Sequence, residues 1–259
     1  MTESGAPLPA PSASVAQILE AASQLFRVTL LKCLPLAMVA VLVLEVPNLY
    51  WIARGHPMAL RGWSWPTDTH YLLLQLLATV LTLPIVSAMM LQQRALIAGV
   101  GCGTGTAVLA ALRRLPLLLA SWVLAQLSLL VGLSLLLLPG LFLFVCYLLM
   151  LPVVLFERTN ASPYTVLLRC VMLVRPHWWK TLTATVLASL VVLVCVLAFA
   201  AILSIVAALL SGAAFQAITE ACFVAFFAAA GVFLSALVLT LHSAASHASR
   251  GHSAASSSA

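Results

Sequence analysis

The chain has 259 residues, of which 64% are hydrophobic and 7% charged, with twelve Lys/Arg, six Asp/Glu and a mean hydropathy of +1.16. A soluble domain carries about 25% charged residues, so these few charges cannot cover a water-facing surface. A water-soluble fold is excluded, and lipid is the alternative solvent.

One bilayer crossing needs about 20 apolar residues as a helix. The apolar runs are long and rich in Leu, Ala and Val, without the alternation over about ten residues that marks a barrel strand. In lipid every backbone N–H and C=O must be bonded within the segment. The predicted fold class is therefore all-α: a polytopic membrane bundle of six transmembrane helices.

In chain order, residues 1–13 are rich in Pro, Ala and Ser. They lack the basic and apolar regions of a secretory signal and read as a disordered tail. Ser14 with Gln17 fits a capping box. Val15, Ile18, Leu19, Ala22, Leu25 and Phe26 then share one face at helical spacing, which predicts a short interfacial helix to Arg27.

The first span is predicted over 30–50, with Lys32 near its start and Glu45 before Pro47. Loop 51–70 carries Trp51, Trp63 and Trp65, side chains that favour the membrane boundary. The second span covers 71–91, with a kink at Pro84. A polar connection, 92–115, contains GVGCGTG (99–105) and a short helix ending at Arg113 and Arg114. The third span is 117–138, Pro139-Gly140 makes the tightest turn, and the fourth span, 141–156, is short and carries Pro152.

Ser162-Pro163 starts a helix, as a capping hydroxyl followed by proline at the first helical position. That helix holds Arg169 and breaks at Arg175-Pro176, and His177, Trp178, Trp179 and Lys180 mark an interface. Spans five and six are predicted over 182–210 and 218–241. The membrane domain is thus 14–241, followed by a Ser/Ala/His-rich disordered tail, 242–259.

Basic residues divide the connections. Ten of the twelve lie in the N-terminal region, 92–115, 157–180 and the tail: Arg27, Lys32, Arg94, Arg113, Arg114, Arg158, Arg169, Arg175, Lys180 and Arg250. Arg54 and Arg61 alone fall on the other side. Basic residues stay cytoplasmic, so both termini are expected inside. A pattern also recurs three times, starting at Ser14, Thr104 or Thr106, and Ser162: a capped interfacial helix, a basic residue at its end, then two spans. The expectation is three hairpins, each preceded by a short cytoplasmic interfacial helix.

Candidate sites are few. A carboxylate in the apolar layer is costly unless paired or hydrated. Glu45 therefore reads either as a proton or substrate site or as a wetted boundary carboxylate, with Tyr50 and Trp51 about 8–9 Å beyond it. Glu157 and Arg169 can form an interfacial ion pair. Arg169, Arg175 and Lys180, with Trp178 and Trp179, can grip anionic headgroups or a partner protein. GVGCGTG lacks the Gly-Lys-Ser/Thr ending of a phosphate loop and sits outside any βαβ unit. It reads as a flexible loop. His56, His70 and Asp68 in the outer loop, and His242, His247 and His252 in the tail, read as solvated. The six cysteines form no CxxC pair and read as packing residues. No catalytic set, metal site or cofactor is expected.

Between Leu138 and Leu182 the chain reads PGLFLFVCYLLMLPVVLFERTNASPYTVLLRCVMLVRPHWWKTL. Pro139-Gly140, Pro152 followed by Glu157, the helix with Arg169, and the basic-aromatic stretch from Arg175 to Lys180 resemble the YciC-like family of bacterial inner-membrane proteins. That family is related to the membrane domain fused to some glycerophosphodiester phosphodiesterases. The resemblance implies a six-helix fold in the bacterial inner membrane and a poorly defined function. It does not imply phosphodiesterase activity, which belongs to a separate soluble barrel. The chain departs from the family where it stays apolar from Pro-Gly through Met150.

The expectation is a non-enzymatic integral membrane protein acting in envelope homeostasis by binding membrane lipids or another membrane protein, with no nucleic acid as partner. The alternative is a transporter or permease component.

Overall fold

The computed structural model describes residues 13–54, 68–135, 137–157, 162–209 and 213–256. The side chains of residues 137, 207–209, 213–217, 220 and 247–256 are outside the description. The regular elements among these residues are α1 (Val15–Ala53), α2 (Thr69–Ile97), α3 (Thr104–Arg113), α4 (Leu115–Leu135), α5 (Leu137–Tyr147), α6 (Met150–Phe156), α7 (Pro163–Val174), a 3-10 turn (Arg175–His177), α8 (Trp178–Leu209) and α9 (Ala213–Ser256). Six stretches are long and apolar enough to cross a membrane: Val15–Ala53, Thr69–Ile97, Leu115–Leu135, Leu138–Phe156, Pro163–Val206 and Ala221–Ser246. The expectations for the N-terminal tail up to residue 12, for His56, Arg61, Trp63 and Trp65, and for Arg158 fall outside the described residues.

The start of α1 follows the sequence closely. Ser14 Oγ accepts from the Gln17 backbone N–H at 3.3 Å, and Gln17 Oε1 accepts from the Ser14 N–H at 2.8 Å. Each side chain thus satisfies a helix-end donor. The expected break after Arg27 is absent. The interfacial helix and the first span are one helix of 39 residues. Nothing between Arg27 and Leu30 stops it, and the Thr29 hydroxyl bonds back to the Leu25 carbonyl at 2.8 Å.

Two glycine signals resolve differently from a flexible loop and a tight turn. Gly99 has φ of +66° and ends α2, a conformation that glycine adopts without steric cost. The Val100 N–H bonds the Ala95 carbonyl and the Gly99 N–H the Leu96 carbonyl, at 2.9 and 3.2 Å, the paired geometry of a Schellman cap. Gly103 then caps α3, so GVGCGTG is divided between a helix end and a helix start.

Pro139-Gly140 is not itself the turn, since it lies within the first turn of α5, where proline needs no N–H partner. Gly140 allows α4 and α5 to touch. A Cβ there would come within 2.7 Å of Leu133 Cγ and 3.0 Å of its Cα.

The fourth span is interrupted at Leu148 and Leu149. Pro152 has no N–H to offer the Leu148 carbonyl four residues back. The last span overruns its expected end, because α9 continues to Ser256 where a disordered tail was expected from 242. Ala and Ser tolerate helix well enough to continue one already formed and packed.

α1 packs extensively against α9, from the far end of the chain, as well as against α2. One buried cluster joins Ile18, Ala22, Cys146, Leu149, Leu237 and Leu241. A second joins Cys33, Ala37, Met89, Ala111, Ala228 and Val232, and a third joins α4, α6 and α7 through Leu118, Val153, Val166 and Cys170. Leucines and valines on the outer faces, such as Leu31, Leu76, Leu130 and Val194, are exposed, as lipid-facing residues must be.

Candidate functional site: the basic end of the bundle

The end of α2, the starts of α3, α4 and α8, the end of α6, α7 and the 240s of α9 carry a polar cluster at one end of the bundle. Its centre is Glu157, the residue after α6. Arg169 Nε on α7 donates to Glu157 Oε2 at 2.8 Å, so the structure brings together the pair expected from the sequence. His242 Nε2 on α9 lies 3.7 Å from Glu157 Oε1, within ion-pair range but longer than a hydrogen bond. Burial pushes the Glu157 carboxyl up, but the His242 imidazole and the Arg169 guanidinium beside it outweigh this and hold it below its ordinary range.

Two further arginines fasten α6 to its neighbours. Arg114, at the start of α4, donates from Nη1 to the carbonyls of Val154 and Leu155, both at 2.6 Å. These are last-turn carbonyls with no partner within α6, and a cation also complements the negative helix end. Arg94, in the last turn of α2, lies over the Phe156 ring at 4.1 Å, and that ring sits 6.2 Å from the His242 imidazole. Gln92 donates to Thr104 Oγ1 at 2.9 Å, tying α2 to α3, and Gln93 donates to the Val232 carbonyl at 3.1 Å, tying α2 to α9. The Oε1 atoms of both glutamines and His242 Nε2 are buried without a hydrogen-bond partner among the described residues.

Beside this cluster lies the α7–α8 elbow. Ser162 caps α7 by accepting from the Thr165 N–H at 3.4 Å, with Pro163 following it. A 3-10 turn containing Pro176 then separates α7 from α8. Arg175, Trp179 and Lys180 are exposed. Trp178 packs edge-on to Trp179 at 4.5 Å and tilted against Phe142 at 5.9 Å. A small crevice is lined by Ile18, His177, Lys180, Thr181, Leu241 and Ala244. His177 Nδ1 and Trp178 Nε1 are shielded from solvent with no hydrogen-bond partner among the described residues. The segment joining α7 to α8 thus carries two exposed cations and two indole rings within six residues of chain. That set suits an anion attached to an apolar body.

Glu45 is not part of this site. It lies about 30 Å along α1 from Leu25, whose side chain packs near Phe156. Glu45 is half-buried and accepts from Asn48 Nδ2 at 2.8 Å, a bond within its own helix. At that opposite end Asp68 caps α2. The His70 backbone N–H at 2.9 Å holds its carboxyl below the usual range, and the Tyr50 hydroxyl donates to it at 3.2 Å.

Among the described polar residues of the spans, Gln75 is half-buried and Ser87, Ser121 and Ser235 are buried. Gln126, Ser134, Ser189 and Ser204 are all exposed on outer faces, and Ser128 bonds Leu124 and Tyr147.

Sequence reasoning missed Gln92, Gln93, Arg114 and His242. The usable signal for His242 was the unbroken apolar run up to Leu241, which carries helical phase into the Ser/Ala tract. Comparison with known proteins returns no matching family model, no similar curated protein and no similar solved structure.

Proposed function

We propose that this is a non-enzymatic integral membrane protein whose basic end binds anionic lipid headgroups, or a partner membrane protein, in envelope homeostasis. One observation carries the reading: exposed Arg175, Trp179 and Lys180 lie within six residues of chain where α7 meets α8, next to His177 and Trp178, each with a shielded ring nitrogen that has no hydrogen-bond partner among the described residues. Each Lys or Arg near an anionic surface contributes about 1 kcal/mol, and indole rings favour the headgroup level. The basic end then faces the cytoplasm, with both termini on the cytoplasmic side of the bacterial inner membrane. Membership of the YciC-like family is part of the same proposal.

Purification in native lipid, followed by mass spectrometry of the bound lipids and proteins, tests this reading. Wild type should carry anionic lipid in excess of the surrounding membrane or a stoichiometric partner, and Arg175→Ala/Lys180→Ala should lose it. A preparation with neither defeats the proposal.

A transporter or permease component is the competing reading. The interrupted fourth span favours it, because broken helices mark binding sites in transporters. The outward scatter of Gln126, Ser134, Ser189 and Ser204 weighs against a pathway.

A further inference from the structure

Gln126 is exposed on α4, and its amide makes no hydrogen bond among the described residues. It stands eleven residues from Leu115 and nine from Leu135, or about 17 Å and 14 Å along the helix. In a hydrocarbon core about 30 Å thick, that is mid-depth. Water is scarce there, and an amide left unbonded in hydrocarbon is costly. No described residue satisfies it, so its partner is sought beyond them.

We propose that the occupant is a second copy of this chain, joined by a twofold axis along the membrane normal, with Gln126 of each copy bonded to Gln126 of the other. Three observations support this choice. An amide is both donor and acceptor, so two identical amides satisfy each other across a twofold axis. Two copies inserted with the same orientation place Gln126 at the same depth, a match that a foreign helix would need by coincidence. The residue is also central to an exposed stripe at helical spacing: Val123, Leu127, Leu130 and Leu133 flank it. A single polar side chain within an apolar helix seam fixes register and copy number, and amides join helices in membranes. A recess between Trp122 and Leu129 on α4 and Phe144 and Tyr147 on α5 opens beside Gln126. It gives the partner's stripe a place to seat a side chain.

The test is single-molecule photobleaching of the labelled full chain in bilayers across a lipid dilution series. Wild type should pass reversibly from dimer to monomer. Gln126→Leu should dissociate about tenfold or more readily, the equivalent of two interhelical amide bonds. Gln126→Asn keeps an amide and should recover part of the affinity. Leu130→Trp, on the same stripe, should also weaken the dimer, so the proposal stays testable if Gln126→Leu folds poorly. Wild type that remains monomeric throughout overturns the proposal, whether or not a foreign helix or an amphiphile co-purifies. So does a Gln126→Leu variant that dimerises as tightly as wild type.

Discussion

Replacing Glu157 by Gln and Arg169 by Met, singly and together, isolates the ion pair at the centre of the basic end. Glu157 is 18% exposed and Arg169 39% exposed, at 2.8 Å. A charged hydrogen bond contributes about 1.5–3 kcal/mol when shielded, and exposed ion pairs contribute about 0.2–1 kcal/mol. Water reaches more than a third of the arginine, so the coupling energy should be about 1 kcal/mol. Each single substitution should cost somewhat more, because its partner is left half-buried. The assay is reversible unfolding in mixed micelles, with the four proteins forming a double-mutant cycle.

The pH dependence has a definite sign. The carboxyl pKa is lowered from its ordinary value near 4.5 on folding. The pair's contribution is therefore present above that value and disappears as pH falls through the folded pKa. The cycle should give its full coupling at pH 7 and progressively less as the pH is lowered below the ordinary carboxylate range. Zero coupling at pH 7, or coupling that persists on acidification, would refute the reasoning.

Arg114→Met should lower stability by about 1–3 kcal/mol in the same unfolding assay, because two carbonyls lose a charged donor; Arg114→Lys should recover part of it. Gly140→Ala forces a Cβ against Leu133 and should cost about 1–3 kcal/mol, whereas Gly105→Ala, with nothing within 4 Å, should be neutral or stabilising by about 0.5 kcal/mol. Equal effects at the two glycines would contradict the close approach of α4 and α5. Reporter fusions at residues 60 and 259 should report opposite sides of the membrane, and a shared side would contradict an even number of crossings.

Hydropathy carried the six spans because lipid imposes length and apolarity on each crossing regardless of neighbours. Local chemistry carried the helix starts at Ser14 and Ser162, since a cap involves only residues within one turn. Glu157 with Arg169 was legible because a carboxylate and a guanidinium at the ends of neighbouring elements rarely stay apart in an apolar setting. Features that depend on distant packing were not legible. The continuity of α1 past Arg27 reflects its long contact with α9, which composition does not display. His242 looked like part of a solvated Ser/Ala tract, yet the tertiary environment buries it beside Glu157 and Phe156. Arg114 looked like a topology signal, and its bonds to Val154 and Leu155 depend on how α4 meets α6. Glu45 illustrates the converse: a residue conspicuous in sequence is answered by Asn48 three positions later.

The most direct test of the account is the affinity of the basic end for defined lipids. Purified wild type and Arg175→Ala/Lys180→Ala should be titrated with phosphatidylglycerol and phosphatidylcholine, with bound lipids resolved by native mass spectrometry. At about 1 kcal/mol per cation, removing both should weaken phosphatidylglycerol binding about thirtyfold and leave phosphatidylcholine unchanged. Added salt should erode the difference for wild type. Equal binding of the two lipids by wild type would contradict the account.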